Sequence, residues 1–171
     1  ALVLCTAITA NAQTCNENIT RSSPSHQYYI NSDGTVTDVK HGIEWRLCLV
    51  GQTYNGSTNG CVGSPTHYAK WDDAMNAAAS YEASVSKGWR IPNIKELGTL
   101  VERACVAPAI NTSFFGDVPS AIYWSVTPDN EVNYIDGNGI KARIIDFTDG
   151  TEFIRDTGDY RYVRLVRDIE E

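Results

Sequence analysis

The chain has no surplus of positive charge. Of its 171 residues, 14 are Lys or Arg against 21 Asp or Glu, a formal net charge of −7. A nucleic-acid binder needs a cationic face to displace counterions from phosphate, and the basic residues here are scattered. The one close set, Arg161, Arg164 and Arg167, would be split between the two faces of a strand by its two-residue period. Nucleic acid, sulfated polyanions and anionic membrane surfaces are poor partners on charge alone. A membrane span is also lacking. The longest apolar stretch, residues 1–12, falls well short of the roughly 20 residues that cross a bilayer.

Catalytic signatures are missing too. There is no G-x-S-x-G elbow, no H-E-x-x-H pair and no glycine-rich phosphate loop. His26, His41 and His67 sit in polar or turn contexts without metal-like spacing. Asp72 and Asp73 are adjacent and would diverge on a helix. A hydrolase acting on glycans would need two facing carboxylates about 5 to 10 Å apart, and no pair offers itself. No C-x-x-C pair is present, so zinc and redox roles are not expected. The sequence reads as a non-enzyme with no cofactor.

What is present is the signature of an exported, disulfide-bonded chain: five cysteines and four tryptophans. Residues 1–12 (ALVLCTAITANA) are apolar and uncharged and end in an A-x-A pattern before Gln13. That is the core and cleavage site of a secretory signal. The alternative is a retained segment whose Leu2, Val3, Leu4 and Ile8 pack into a groove of a neighbouring subunit, as in donor-strand assembly. The remainder, 13–171, is expected to be one domain. Without Cys5, the four cysteines Cys15, Cys48, Cys61 and Cys105 allow three pairings. Cys48 and Cys61 bracket a Gly/Asn/Ser/Thr-rich loop, so a local bridge is favoured there. Cys15 would then join Cys105.

The organising stretch is Lys87 to Leu97 (KGWRIPNIKEL). Asn93 and Glu96 have capping-box spacing, Pro92 fixes the chain before them, and a helix is predicted to run to about Arg103. Ile94, Leu97, Leu100 and Val101 form its apolar stripe. Trp89 and Ile91 alternate on the extended segment before it, so strand and helix are expected to feed one core. An earlier helix is predicted from Trp71 to about Ser84, with Asp72 and Asp73 at its positive end. Asp33-Gly34, Lys40-His41-Gly42 and Asp149-Gly150 are hairpin or turn signals. Residues Tyr160 to Arg167 (YRYVRLVR) read as a closing strand. The class is α+β: two helices and a set of antiparallel strands.

The most ligand-like loop is Thr127 to Gly139. Asp129, Asn130, Glu131, Asn133, Asp136 and Asn138 supply the hard oxygens that calcium requires. With Tyr134 they could instead hydrogen-bond and stack on a sugar. The spacing fits no EF-hand, and an ordinary solvated turn is the simpler reading.

Read together, these segments resemble the bacterial Lcl C-terminal domain family. The resemblance is carried by DGTVTD (33–38), GIEWRLC (42–48), GQTYNGSTNGC (51–61) and the W-x-x-A helix start (71–74). It continues through WRIPNIKEL (89–97), ERACVAPAIN (102–111), YWS (123–125) and YVRLVR (162–167). It implies a C-type-lectin-like fold: two helices, paired terminal strands, a small antiparallel sheet and a long loop region, stapled by disulfides. It also implies a secreted or bacterial cell-surface module for adhesion or recognition. The family namesake binds glycosaminoglycans. The acidic composition here, and the absence of the E-P-N, Q-P-D and W-N-D calcium-lectin motifs, argue against carrying over either sulfated-polyanion or calcium-lectin binding. The expected partner is a surface glycan or a protein ligand. The alternative function is a structural subunit of an extracellular filament or pilus, a homo-oligomer built through residues 1–12.

Overall fold

The computed structural model describes residues 13–116, 119–129, 142–155 and 161–169. In chain order the strands are β1 (Thr14–Cys15), β2 (Tyr28–Ile30), β3 (Thr35–Asp38), β4 (Ile43–Arg46), β5 (Thr53–Asn55), β6 (Gly60–Val62) and β7 (His67–Tyr68). Helices α1 (Trp71–Val85) and α2 (Ile94–Thr99) follow. Then come β8 (Cys105–Val106), β9 (Ile122–Pro128), β10 (Ala142–Asp146), β11 (Thr151–Arg155), β12 (Arg161–Tyr162) and β13 (Val166–Asp168). The class is α+β with two disulfides, as expected.

The sheets are larger than the single small one anticipated. Five strands lie in the order β11-β10-β9-β12-β7, and four in the order β13-β4-β3-β2; two further pairs are β1-β8 and β5-β6. The pairing is antiparallel except between β12 and β9. The turns fall where the sequence marks them. Residues 31–34 join β2 to β3, residues 39–42 join β3 to β4, and residues 147–150 join β10 to β11.

Alternation along β9 and β10 explains how the molecule is layered. Successive strand residues point to opposite faces, so Tyr123 and Ile145 enter one core while Trp124 and Ile144 enter another. The first core is filled by Val36, Trp45, Leu97, Leu100 and Phe115. The second holds Ala74 and Ala78 of α1 with Trp89, Ile91 and Leu165. The five-stranded sheet is thus covered on both sides, with α2 packed on one and α1 on the other. This corrects the expectation of one shared core: Trp89 and Ile91 pack with α1, whereas Leu97, Leu100 and Val101 pack on the opposite side.

Helix α1 has nearly its predicted span. Helix α2 carries the full capping box, Asn93 Oδ1 accepting from the Glu96 N–H at 2.9 Å and Glu96 Oε2 from the Asn93 N–H at 2.7 Å. It stops at Thr99 instead of reaching Arg103. The N–H of Leu100 closes back on Leu97 and Gly98, and the Glu102 N–H donates to Ala109. The buried Glu102 carboxylate accepts from the N–H groups of Ser22, Ser23 and Ala104. These bonds from distant segments hold a turn where the helix would otherwise continue. Leu100 and Val101 stay buried in that turn.

The predicted closing strand is broken. Residues 163–165 are not in a sheet; β12 before them joins the five-stranded sheet and β13 after them pairs with β4, Val166 opposite Trp45. The segment therefore does return beside the first strands. Its arginines do divide between sides, Arg161 against a ring of one core and Arg164 against a ring of the other. Arg161 and Arg164 are both buried, with Arg161 4.5 Å from the Trp124 ring centre and Arg164 4.9 Å from that of Phe115. Arg164 Nη1 donates to the carbonyls of Arg46 and Leu47, each at 2.6 Å.

Candidate functional site

A surface cleft forms where the β2–β3 turn, the cysteine-closed loop and the end of α1 meet. Asp33 Oδ1 accepts from the Thr35 N–H at 3.2 Å and from its hydroxyl at 2.7 Å, which sets the turn. Gly34 then adopts a φ of +83°, a conformation that side-chain-bearing residues rarely take. The bare Cα of Gly34 lets the Tyr54 ring press directly against it.

Tyr54 sits on β5, inside the loop that Cys48–Cys61 closes. Its hydroxyl donates to Asn59 Oδ1 at 2.8 Å. The second bridge joins Cys15 to Cys105, so both disulfides have the pairing favoured by the spacing of the cysteines.

From the other side, α1 supplies Tyr81 and ends on Ser86, which is left-handed with φ +50°. Glu82 Oε1 accepts from the Gly88 N–H at 2.9 Å and Oε2 from the Trp89 N–H at 2.7 Å. Those backbone hydrogen bonds hold its carboxyl below the ordinary value. The helix exit is thereby fixed, placing Lys87 and Trp89 on the cleft wall.

Two guanidinium groups lie on two rings. Arg46 is 4.4 Å from the Tyr81 centroid and Arg167 is 4.7 Å from the Trp89 centroid, arrangements favoured by the ring quadrupole. Arg167 is also neutralised by Glu44, with Nε and Nη2 both on Oε2 at 2.8 and 2.5 Å. Arg46 differs. Among the described residues no carboxylate pairs with it, and burial pushes its pKa down from the ordinary arginine value. The cleft is open to solvent on one side and has a volume of about 240 Å³, slightly below the range of pockets for drug-sized ligands. Chemically, the cleft offers aromatic walls, fixed cations and an acceptor in Asp33. It suits binding.

A second cavity of about 540 Å³ runs between α1 and the segment 89–93. Its lining is mainly apolar, with Met75, Ala78, Ala79, Ala83, Ile91 and Val126.

Of the sequence-predicted ligand residues, Asp129 is described, half-buried just past β9. Asn130, Glu131, Asn133, Tyr134, Asp136 and Asn138 lie outside the described residues, as do Leu2, Val3, Leu4 and Ile8. No group of three or more His, Cys, Asp or Glu among the described residues is arranged to hold a metal ion. No helix among the described residues is long and apolar enough to cross a membrane. Sequence reasoning missed Arg46, Tyr54, Tyr81 and Lys87 as site residues. Tyr54 carried a usable signal, being the aromatic residue within the disulfide-closed loop; the others carried none, because only folding brings them together.

The family model of the Lcl C-terminal domain matches residues 34–167. The chain belongs to the Lcl C-terminal domain family. No curated protein and no solved structure matches it.

Proposed function

We propose that this Lcl C-terminal domain is a secreted or cell-surface interaction module, non-enzymatic, with a C-type-lectin-like fold. It serves adhesion or recognition by taking part of a surface glycan or protein ligand into the Arg46–Tyr54–Tyr81 cleft. The observation that carries this reading is the pre-set cleft itself. Rings and a cation from three separate segments are held in place before any ligand arrives, which lowers the ordering cost of binding. Asp33 is the one carboxylate lining it among the described residues, whereas glycoside hydrolysis uses two. No cofactor enters this reading, and calcium is not required. The lectin-like assignment draws support from the return of β13 beside β4 and from the two disulfides.

The test is binding of the full chain to a panel of cell-surface glycans and to intact cells, with Tyr54→Ala and Tyr81→Ala beside it. Both variants are expected to lose binding while keeping the wild-type far-ultraviolet dichroism. Unchanged binding by both folded variants would remove the cleft from the account.

A second reading, a filament or pilus subunit, is favoured by the apolar cavity along α1. There, residues 1–12 of one copy would lie against Ala79 and Ala83 of the next. Light scattering of the chain with and without residues 1–12 tests it. Large assemblies from the full chain alone support the filament, and identical small species from both forms count against it.

A further inference from the structure

We infer that the ligand group entering the cleft is a sugar ring carrying a single carboxylate, paired with Arg46 and Lys87. This rests on the reading of the cleft as the recognition site and adds the chemical class of what it takes.

Arg46 shares with Arg103 and Arg164 the lack of a carboxylate partner among the described residues, and of these three it is the one that lines the cleft. Arg90 is shared by Glu96 and Asp168, Arg143 is paired with Glu152, and Arg167 with Glu44. Arg46 has lost part of its hydration to burial, yet no acidic side chain among the described residues replaces it. A partly desolvated guanidinium gains more from an incoming anion than a fully hydrated one. Its contact with Tyr81 holds the fork in place, so little side-chain entropy is lost on pairing. Lys87 is exposed on the same wall and has no carboxylate partner among the described residues. The cleft thus holds two cations without carboxylate partners among the described residues, on an otherwise acidic chain.

The rest of the lining selects the carrier of that anion. Tyr54 supplies a half-buried ring, backed by Gly34, against which a sugar face can rest. Asp33 keeps its Oδ2 for a hydroxyl donor, since Thr35 occupies Oδ1. A volume of about 240 Å³ fits one ring with its carboxylate rather than a folded segment. An acidic peptide side chain would satisfy the cations but leave the aromatic wall uncovered. A sulfated polyanion would lay further charges along a surface carrying Asp33, Glu44 and Glu82, against a net charge of −7.

The experiment titrates the full chain by calorimetry with two acid–neutral pairs: methyl galacturonoside against its methyl ester, and sialyllactose against its methyl ester. Heparin and a pentapeptide of glutamate complete the set. At least one acidic sugar is expected to bind, with its neutral partner weaker by about tenfold or more, the effect of one charge-assisted hydrogen bond. Arg46→Gln should abolish that preference. Lys87→Gln, at an exposed position that cannot upset the core, should reduce it by about two- to fivefold. Arg143→Gln, away from the cleft, should leave it unchanged.

If neutral sugars bind as well as acidic ones, and Tyr54→Ala removes both, the carboxylate is overturned while the cleft stands. If sugars bind and Tyr54→Ala and Arg46→Gln change nothing, the cleft falls too. Tighter binding of heparin or of the peptide overturns the saccharide class, as does no binding to either acidic sugar.

Discussion

The ring of Tyr54 lies so close to Gly34 that a methyl group added at position 34 would overlap its Cβ, Cγ and Cδ1 atoms. The two residues join a hairpin turn to the disulfide-closed loop, and each fixes the other. Gly34→Ala therefore meets both a steric overlap with Tyr54 and a φ of +83°. The expected loss is about 2–4 kcal/mol of stability, read as a lower midpoint in urea. Asp33→Ala, which leaves glycine in place but removes the acceptor for Thr35, should cost about 1 kcal/mol. Equal effects from the two substitutions would show that the Tyr54 contact carries no special weight.

The two disulfides should differ in what they protect. Cys48 and Cys61 are 13 residues apart, Cys15 and Cys105 are 90 apart. Restricting the unfolded chain favours the longer loop, about 4–5 kcal/mol against about 3. The Cys15→Ser/Cys105→Ser pair is expected to lower stability more but leave the cleft intact. The Cys48→Ser/Cys61→Ser pair should weaken ligand binding with the smaller fall in melting temperature, since it frees the loop that presents Tyr54. Parallel calorimetric scans and binding titrations of the two double variants check this.

Alkali should destabilise the fold through buried phenols. Burial raises the pKa of Tyr28 and of Tyr123 well above the ordinary value of 10. In the unfolded chain both ionise near pH 10, while in the native state they remain neutral. Above that pH the unfolded state binds fewer protons, so stability present below pH 10 is lost as pH rises. Absorbance titration should show at least two of the nine tyrosines ionising only as the protein unfolds. Phenolate formation by all nine ahead of the loss of circular dichroism would contradict this.

The short helix α2 depends on its first turn. Asn93→Ala is expected to cost about 1 kcal/mol. Glu96→Ala should cost more, because Glu96 also receives two bonds from Arg90, at 2.8 and 2.9 Å, besides capping the Asn93 N–H. Chemical denaturation of both variants and of the double variant measures the coupling. Strict additivity would mean that cap and ion pair act separately.

Features set by neighbouring residues are legible in the amino-acid sequence. The capping box at Asn93, the turn at Asp33-Gly34, the start of α1 at Trp71 and the Cys48–Cys61 bridge all depend on spacings of a few to about a dozen residues. Features decided by distant contacts are not legible in this way. Nothing near Thr99 announces that α2 ends there, because the turn is held by Glu102 reaching Ser22 and Ser23. Alternation shows that Tyr123 and Trp124 diverge, yet not that both directions lead into packed cores. The three arginines of the closing segment have the spacing of a divided surface. Arg161 and Arg164 are buried instead, Arg161 from β12 and Arg164 from the break at 163–165, each on an aromatic ring. The cleft is the least legible part. Its walls come from residues 33–35, 46, 54, 81, 85, 87, 89 and 167, and no local pattern joins positions so far apart.

The crossing segment between β12 and β13 has a bearing on biogenesis. These late residues join the five-stranded sheet at Tyr123 and the four-stranded sheet at Trp45, so neither sheet is complete until residues 161–168 have been synthesised. A nascent chain leaving the ribosome lacks that clasp until those residues emerge. Completion of both sheets therefore waits on one segment, whose β13 pairs with residues over 120 positions away. A ribosome stalled ahead of residue 161 would hold a polypeptide with both sheets still open.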